Sequence, residues 1–388
     1  MKLNLTLATM LFVMMTSLHP AAPTVLLLRS GLQSFEALTS FVVEPGSTDQ
    51  ELILTSPLLD LGFAWNEAIL SWNTAAPDSA QFQFEVAPVF EGKMPRFYPL
   101  GAWCLATTTL QRKSLKQEFD PLVTMDTDTL ILKKTVTELR VRIKIKDTQL
   151  PKADWVKFLA VSCSGPRIKD SSPPQPDPAS VASRAAEART PEPFDKSPKQ
   201  GRIELHVPAL SQLDYPDGKT TWCSPTSLTM ALHYWSAELG RKDLLLKVPE
   251  TAAAVFDPDW GGTGNWSFNT AFAGAFPGMR ACVTRLENLA QMEACVRLGV
   301  PVVASVSYNR LKGLDKAGSG HLVVCIGFEA NGDIILNDPG RSAEIKQSVP
   351  IARFQAAWAE SKNTVYLVAP IDQHRSLVRG LRAGLMDD

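Results

Sequence analysis

Cys223 stands in TTWCSPTSLTMALHYW, directly ahead of Ser-Pro and a run of helical spacing. Pro225 suits the first helical position, where its missing N–H would lack a partner in any case. Cys223 is therefore expected at or just before a helix N-terminus, whose unpaired N–H groups and dipole favour an anion. A thiolate is such an anion, and this setting commonly lowers a cysteine pKa to roughly 3.5–7.5. Taken alone, the residue leaves three readings open: a nucleophile, a buried structural thiol and half of a disulfide.

A nucleophilic thiol needs a base, and the chain has five histidines. His19 falls in an apolar leader and His374 in a charged C-terminal segment, while His206 precedes a strand-like stretch. His233 shares the cysteine's helix, but ten residues along the axis put it about 15 Å away. His321 remains, opening the strand HLVVCIGF. The next strand is DIILN, and Asn331-Gly332 between the two is a strong hairpin signal. With a loop over Glu329–Gly332, Phe328 pairs with Asp333, His321 stands opposite Gly340, and Asp338 stands opposite Val323. His321 and Asp338 then share a face as diagonal neighbours, about 7–8 Å apart at the backbone. A carboxylate there would fix the imidazole tautomer and leave the other ring nitrogen for the thiol. Asp338 by itself is equally a turn residue ahead of Pro339. Gln212, in VPALSQLDYPDG, offers an amide N–H to a developing oxyanion, or is a polar loop residue.

These residues need elements to hold them, and the 388-residue chain has room for two or three domains. Residues 30–163 alternate with period two: AQFQFEV puts Phe82, Phe84 and Val86 on one face, and LRVRIKIK does so with Leu139, Val141, Ile143 and Ile145. ELILT, EAILSW, TLILKK and VKFLAVSC read as further strands, so an all-β sandwich is expected there. Arg140, Arg142, Lys144 and Lys146 form a cationic strand face, which is either an ordinary solvated face or a surface for a cell-surface polymer. Residues 164–200 are rich in Pro, Ser, Ala and charge and read as a flexible, disordered linker. From 201 to 370 the pattern is α+β, a helix ahead of an antiparallel sheet. Residues 371–388 read as a charged tail.

The ends and the composition narrow the function classes. Lys2, an apolar stretch over residues 3–18 and a small-residue exit match a secretory signal over 1–22, which predicts an exported protein without stable membrane insertion. A formal net charge of -1 gives no global attraction to nucleic acid, and none is expected as a partner. Six cysteines in an exported chain permit disulfides, and Cys104 with Cys163 is the pairing expected in the first half. No CxxC or Cys/His cluster has zinc spacing, so no metal or cofactor is expected.

The order VPALSQ, WCSPTSL, GHLVVCIGF and DIILNDP, over about residues 203–369, resembles the C39-like family of cysteine peptidases, a branch of the papain-like fold. The resemblance implies that Cys223 is the nucleophile, His321 the general base and then acid, Asp338 the orienting group and Gln212 the oxyanion donor. Trp222 and Ser224 flank Cys223 where many members have Asp and Gly. The transporter-linked members that cut leader peptides carry membrane spans and an ATPase. Neither is recognisable here, so a leader-peptide substrate is not expected. Similar exported members carry the Gly-Thr-Gly-Asn-Trp run found within FDPDWGGTGNWSFN. That segment is read either as a structural loop packed by its tryptophans or as a border of the substrate groove. In the second case Trp222, Trp260, Gly264, Asn265 and Trp266 would touch a peptide or protein substrate. The chain is thus expected to be a peptidase, with acyl transfer or peptide binding without cleavage as the alternatives.

Overall fold

The computed structural model describes residues 26–27, 29–105, 112–115, 120–166, 168–169 and 201–383. The signal expected over 1–22 and most of the linker expected over 164–200 lie outside the described residues. Leu26–Leu27 and Ile168–Lys169 pair as a short antiparallel ribbon.

Nine strands build the N-terminal sheet: β1 (Ser30–Phe35), β2 (Val42–Val43), β3 (Glu51–Thr55), β4 (Leu59–Thr74), β5 (Gln81–Pro88), β6 (Tyr98–Trp103), β7 (Val123–Asp126), β8 (Thr129–Lys146) and β9 (Val156–Ser164). The sequence reads TLILKK and LRVRIKIK as separate strands, but both belong to the 18-residue β8. That strand is a spine. Its first half pairs with β4 and β7, and its second half with β3 and β5. The 16-residue β4 is bulged between Asp60 and Glu67 and also pairs with β9. Long strands shared in this way join everything into one hydrogen-bonded sheet, where the sequence reading expects the two separate sheets of a sandwich. Bulges supply the bending that lets such a sheet wrap its own core. Leu139, Val141, Ile143 and Ile145 line that core with Trp65, Trp72 and Phe84.

The cationic face of β8 is partly paired. Arg142 and Lys144 meet Glu85, Lys146 meets Glu51, and Arg140 donates to the Ser56 carbonyl. Cys104 and Cys163, expected to pair, are both buried and free, and the other four cysteines are free as well. They sit on parts of the sheet that do not adjoin: β9, which carries Cys163, pairs with β1 and β4, whereas β6, just before Cys104, pairs with β5.

The C-terminal region is α+β. Its seven-stranded antiparallel sheet runs β11 (Met279–Arg285), β16 (Thr364–Pro370), β12 (Val302–Ser307), β13 (Gly320–Phe328), β14 (Ile334–Asn337), β15 (Lys346–Val349), with β10 (Ile203–Glu204) also on β13. Helices α1 (Cys223–Leu239), α2 (Val248–Val255), α3 (Trp266–Ala273), α4 (Leu289–Arg297), α5 (Tyr308–Leu311) and α6 (Ile351–Ala359) surround it. Of the residues read as a charged tail, those described form α7 (Ile371–Ala383). His374, Leu377, Val378 and Leu381 recur at helical spacing and are buried, so the charges of this segment belong to one side of a docked helix.

The two regions share their interiors. Leu32, Ile69, Phe158 and Ala160 join the C-terminal core, and Phe268 and Ala271 of α3 join the N-terminal one. Strand β11 ends the C-terminal sheet, and β4 covers its open edge with side chains. Ser71 Oγ accepts from Val283 N (2.8 Å), while Asn73 accepts from Ala281 N (3.1 Å) and donates to Ala281 O (3.0 Å). Glu67 pairs with Arg285 (2.6 Å) and with Lys362, and these partners hold its carboxyl below the ordinary range although burial works the other way.

Candidate active site

Helix α1 begins at Cys223 itself, with Trp222 as an N-cap that contributes no side-chain bond. Pro225 is thus the third helical residue, not the first. It remains within the opening turn, where an N–H has no helical partner to lose. The helix is pinned to two strands of the sheet: Ser227 Oγ donates to Leu322 O on the histidine strand (3.1 Å), and Ser224 Oγ meets the Tyr366 hydroxyl on β16 (2.9 Å). These bonds fix the thiol relative to the residue just before Leu322.

His321 sits near the start of β13 and is buried, as is Asp338 just past β14. Its Nε2 lies 2.6 Å from Asp338 Oδ1, and Cys223 is close enough to act electrostatically on the same imidazole. With Nε2 engaged by the carboxylate, Nδ1 is the nitrogen left for sulfur. The fold brings these three residues into one cluster. Burial alone would lower His321, but the bonds to Asp338 and Cys223 outweigh it and raise the ring to about 9. For Cys223 burial works upward, yet the His321 bond and charge, with the N–H groups of Leu322 and Ser224, bring the thiol below its ordinary value. Both shifts favour a thiolate–imidazolium pair. Cys223 stays half-buried, within reach of a reagent.

The register behind this geometry contains a compensation. Near the turn Phe328 pairs with Ile334, one residue off the expected Asp333, because the loop extends to Asp333. A bulge at Ile326 then restores the expected alignment, with Cys325 opposite Leu336 and Val324 opposite Asn337. Without that extra residue Asp338 would face the other side of the sheet.

Several groups that steady the histidine carry no sequence signal. Tyr308 packs on the imidazole with ring centroids 4.3 Å apart and donates its hydroxyl to Gly340 O (3.2 Å). Gly340 N donates to Asp338 Oδ1 (2.9 Å), and Gln347 Nε2 donates to Oδ2 (3.4 Å). A Cβ on Gly340 would lie 2.9 Å from the Tyr308 hydroxyl and 3.1 Å from His321 Cε1, so only glycine lets this turn close over the ring. Tyr308 ends a strand-like run and Gly340 follows Asp-Pro, positions that local spacing does not mark as functional.

Gln212 is buried beside this turn, with its backbone N–H on Pro339 O (2.9 Å) and its side-chain Nε2 on Lys219 O (2.8 Å). It therefore bridges the aspartate turn to the loop that enters Cys223. Nε2 carries a second hydrogen beyond the one given to Lys219.

The residues assigned to substrate contact separate into two groups. Trp222, with Ala252, Ala253, Phe256, Gly262 and Thr263, lines an open groove next to the start of α1. Trp260 is 49% exposed and lies over Gly262 and Gly264, where an added Cβ would meet its ring at 2.6 and 2.9 Å. Asn265 does not fit the expected role, and the backbone of Trp266 is engaged elsewhere. Asn265 is fully buried, accepting from Phe268 N (3.1 Å) as the N-cap of α3 and donating to Asp257 Oδ2 (2.9 Å). The Trp266 N–H is held by Asp128 of the N-terminal domain. Cap residues and interface residues are polar for the sake of the backbone, a demand the sequence alone does not distinguish from ligand contact.

Residues 204–366 match the family model described as the Peptidase_C39 like family, and residues 50–164 match the Peptidase C39 N-terminal domain. A crystal structure described as a C39-like peptidase from Bacillus anthracis is similar over 43% of this chain and 97% of its own, at 18% identity and a TM-score of 0.34. No curated protein matches the chain.

Proposed function

We propose that the chain hydrolyses peptide or isopeptide bonds as a cysteine peptidase, a reading supported by the match of residues 204–366 to the C39-like peptidase family and of 50–164 to its N-terminal domain. The observation that carries this reading is the 2.6 Å bond between Asp338 and His321 beside Cys223 at the head of α1. Cys223 Sγ, as thiolate, attacks the amide carbon, and the carbonyl electron pair moves onto oxygen. That pair returns as the C–N bond breaks, and imidazolium His321 gives its proton to the departing amine. The acyl group is left on sulfur. Neutral His321 then takes a proton from water, the water oxygen attacks the thioester, and C–S cleavage regenerates thiolate and imidazolium. Asp338 holds the ring in orientation and stabilises its positive form. Gln212 donates its second amide hydrogen to the oxyanion.

The papain-like assignment belongs to the same proposal, supported by a helix that presents the thiol against a strand that presents the base. The substrate chain lies along the groove beside Trp222. Export before action is supported by the sequence over 1–22, and among the described residues no helix is long and apolar enough to cross a membrane. The test is a diverse peptide library incubated with the full chain and read by mass spectrometry. Cleavage products that vanish in Cys223→Ala are the expected result. Products capped by an amine would reassign the reaction to acyl transfer, and no products from a protein whose Cys223 alkylates readily would sink the hydrolytic reading.

A further inference from the structure

We propose that the N-terminal domain shapes the substrate groove, acting through Asp128 and Asp257 as positioning residues; this rests on the reading of Cys223 as the reactive thiol. Part of the groove wall is Gly261, Gly262 and Thr263, at the centre of the segment 257–265, which also contains Gly264. Three glycines in nine residues give such a segment wide conformational freedom, so an ordered wall requires anchors. Both ends of the segment are anchored in the other domain.

At the first end Asp257 is fully buried. Its Oδ1 accepts from Ser114 N of the N-terminal domain (3.1 Å) and from Asp259 N (3.2 Å), while Oδ2 accepts from Asn265 Nδ2 (2.9 Å). Its backbone N–H closes the loop onto Gly262 O (2.8 Å). One carboxylate therefore ties the foreign domain, the loop's start and the loop's end together.

At the second end Asp128 accepts from the N–H groups of Trp266 and Ser267, the opening residues of α3. Ser267 Oγ donates to Leu70 O (2.6 Å), and Phe268 packs against Trp103 and Trp72 with centroids 5.5 and 6.3 Å apart. Between these anchors Thr263 Oγ1 donates to Thr221 O (3.0 Å), two residues ahead of Cys223. A contact made in the N-terminal domain is thereby transmitted to the chain that carries the nucleophile. A separately tethered targeting module would need none of these buried bonds.

The test uses the full chain and two reagents for Cys223. Iodoacetamide is small and reports the thiol alone. A peptidyl chloromethyl ketone with an apolar side chain must also lie in the groove. Asp128→Ala should slow the peptidyl reagent by roughly tenfold to a hundredfold while the iodoacetamide rate stays within about twofold, because misplacing a positioned group costs rate only where position matters. Asp128→Asn, which keeps an accepting oxygen, should recover most of the loss. Thr263→Val, on the groove side, should show the same selective loss and serves if Asp128→Ala does not fold. Equal slowing of both reagents, or no change in either, would overturn the proposal. Absence of peptide hydrolysis in the wild-type protein bears on the proposed activity instead, since the ratio of the two alkylation rates is still readable.

Discussion

The peptidase domain holds two cysteine–histidine contacts, and they titrate in opposite directions. Cys223 meets His321 at the head of α1. Cys282 on β11 meets His374 on α7, with Sγ 3.3 Å from Nε2. At the second contact burial, aided by the Arg280 charge, pushes the histidine down to about 3, and burial lifts the thiol to about 12. Both partners are neutral there, and Phe158 packs edge-on against the ring at 5.2 Å. At the first contact burial exerts the same pressure on both groups but loses to Asp338 and Cys223 at the ring, and at the sulfur to His321 first and then to the backbone N–H groups of Leu322 and Ser224. Proximity of thiol and imidazole therefore does not make a nucleophile. An anion behind the ring and donors around the sulfur do.

Cys223→Ala tests the comparison most severely: hydrolysis should fall to background, whereas Cys282→Ala should leave turnover intact. Peptide cleavage assays on the two variants check this, and comparable losses would mean that the second pair also takes part in the chemistry. Gln212→Ala should lower turnover by roughly 10- to 1000-fold with the iodoacetamide rate of Cys223 nearly unchanged, since an oxyanion donor acts on acyl transfer alone. If alkylation slows as much as in His321→Ala, Gln212 is a brace between Lys219 and Pro339 and not a donor to the oxyanion.

Asp338→Asn converts the first contact toward the second by removing the anion. Turnover should drop by about tenfold, less than on loss of Cys223 or His321, because an amide oxygen still accepts from the ring. The sign of the pH effect follows from the raised histidine. Hydrolysis needs protonated His321 as acid, so it should decline as pH rises through about 9. Alkylation needs only the thiolate and should not decline there. In Asp338→Asn the alkaline limb should move to lower pH, and a rate profile that keeps its limb near 9 would show that the carboxylate is not what raises the ring. The smallest effect is expected in stability: Cys282→Ala removes one buried atom and should cost about 1 kcal/mol, read from a denaturant melt.

The motif residues were legible because each has a chemical reason to sit where it does. Cys223 precedes a proline-opened helix, and the Asn331-Gly332 turn brings DIILNDP back along the strand of His321. The bulge at Ile326 was not legible, and the register at the site agrees only because that bulge cancels the longer loop. What the sequence hid are contacts between distant segments. Period two identified the strands of the N-terminal region, but only pairing shows that β8 joins them into one sheet. Asn265 resembles a ligand residue until its partner, Asp257, is seen, and the hold of Asp128 on the Trp266 N–H is equally hidden. Tyr308 acquires a role only when folding lays it on His321.

The side-chain bonds that Ser71 and Asn73 make to β11 stand in for a neighbouring strand. An unpaired sheet edge is a template on which another chain can extend the ladder. A fragment holding residues 201–383 alone would expose Ala281 and Val283 to that fate and invite self-association. The C-terminal sheet thus has its edge closed by a partner in the same chain, which constrains how the two could be separated by truncation, recombination or engineering.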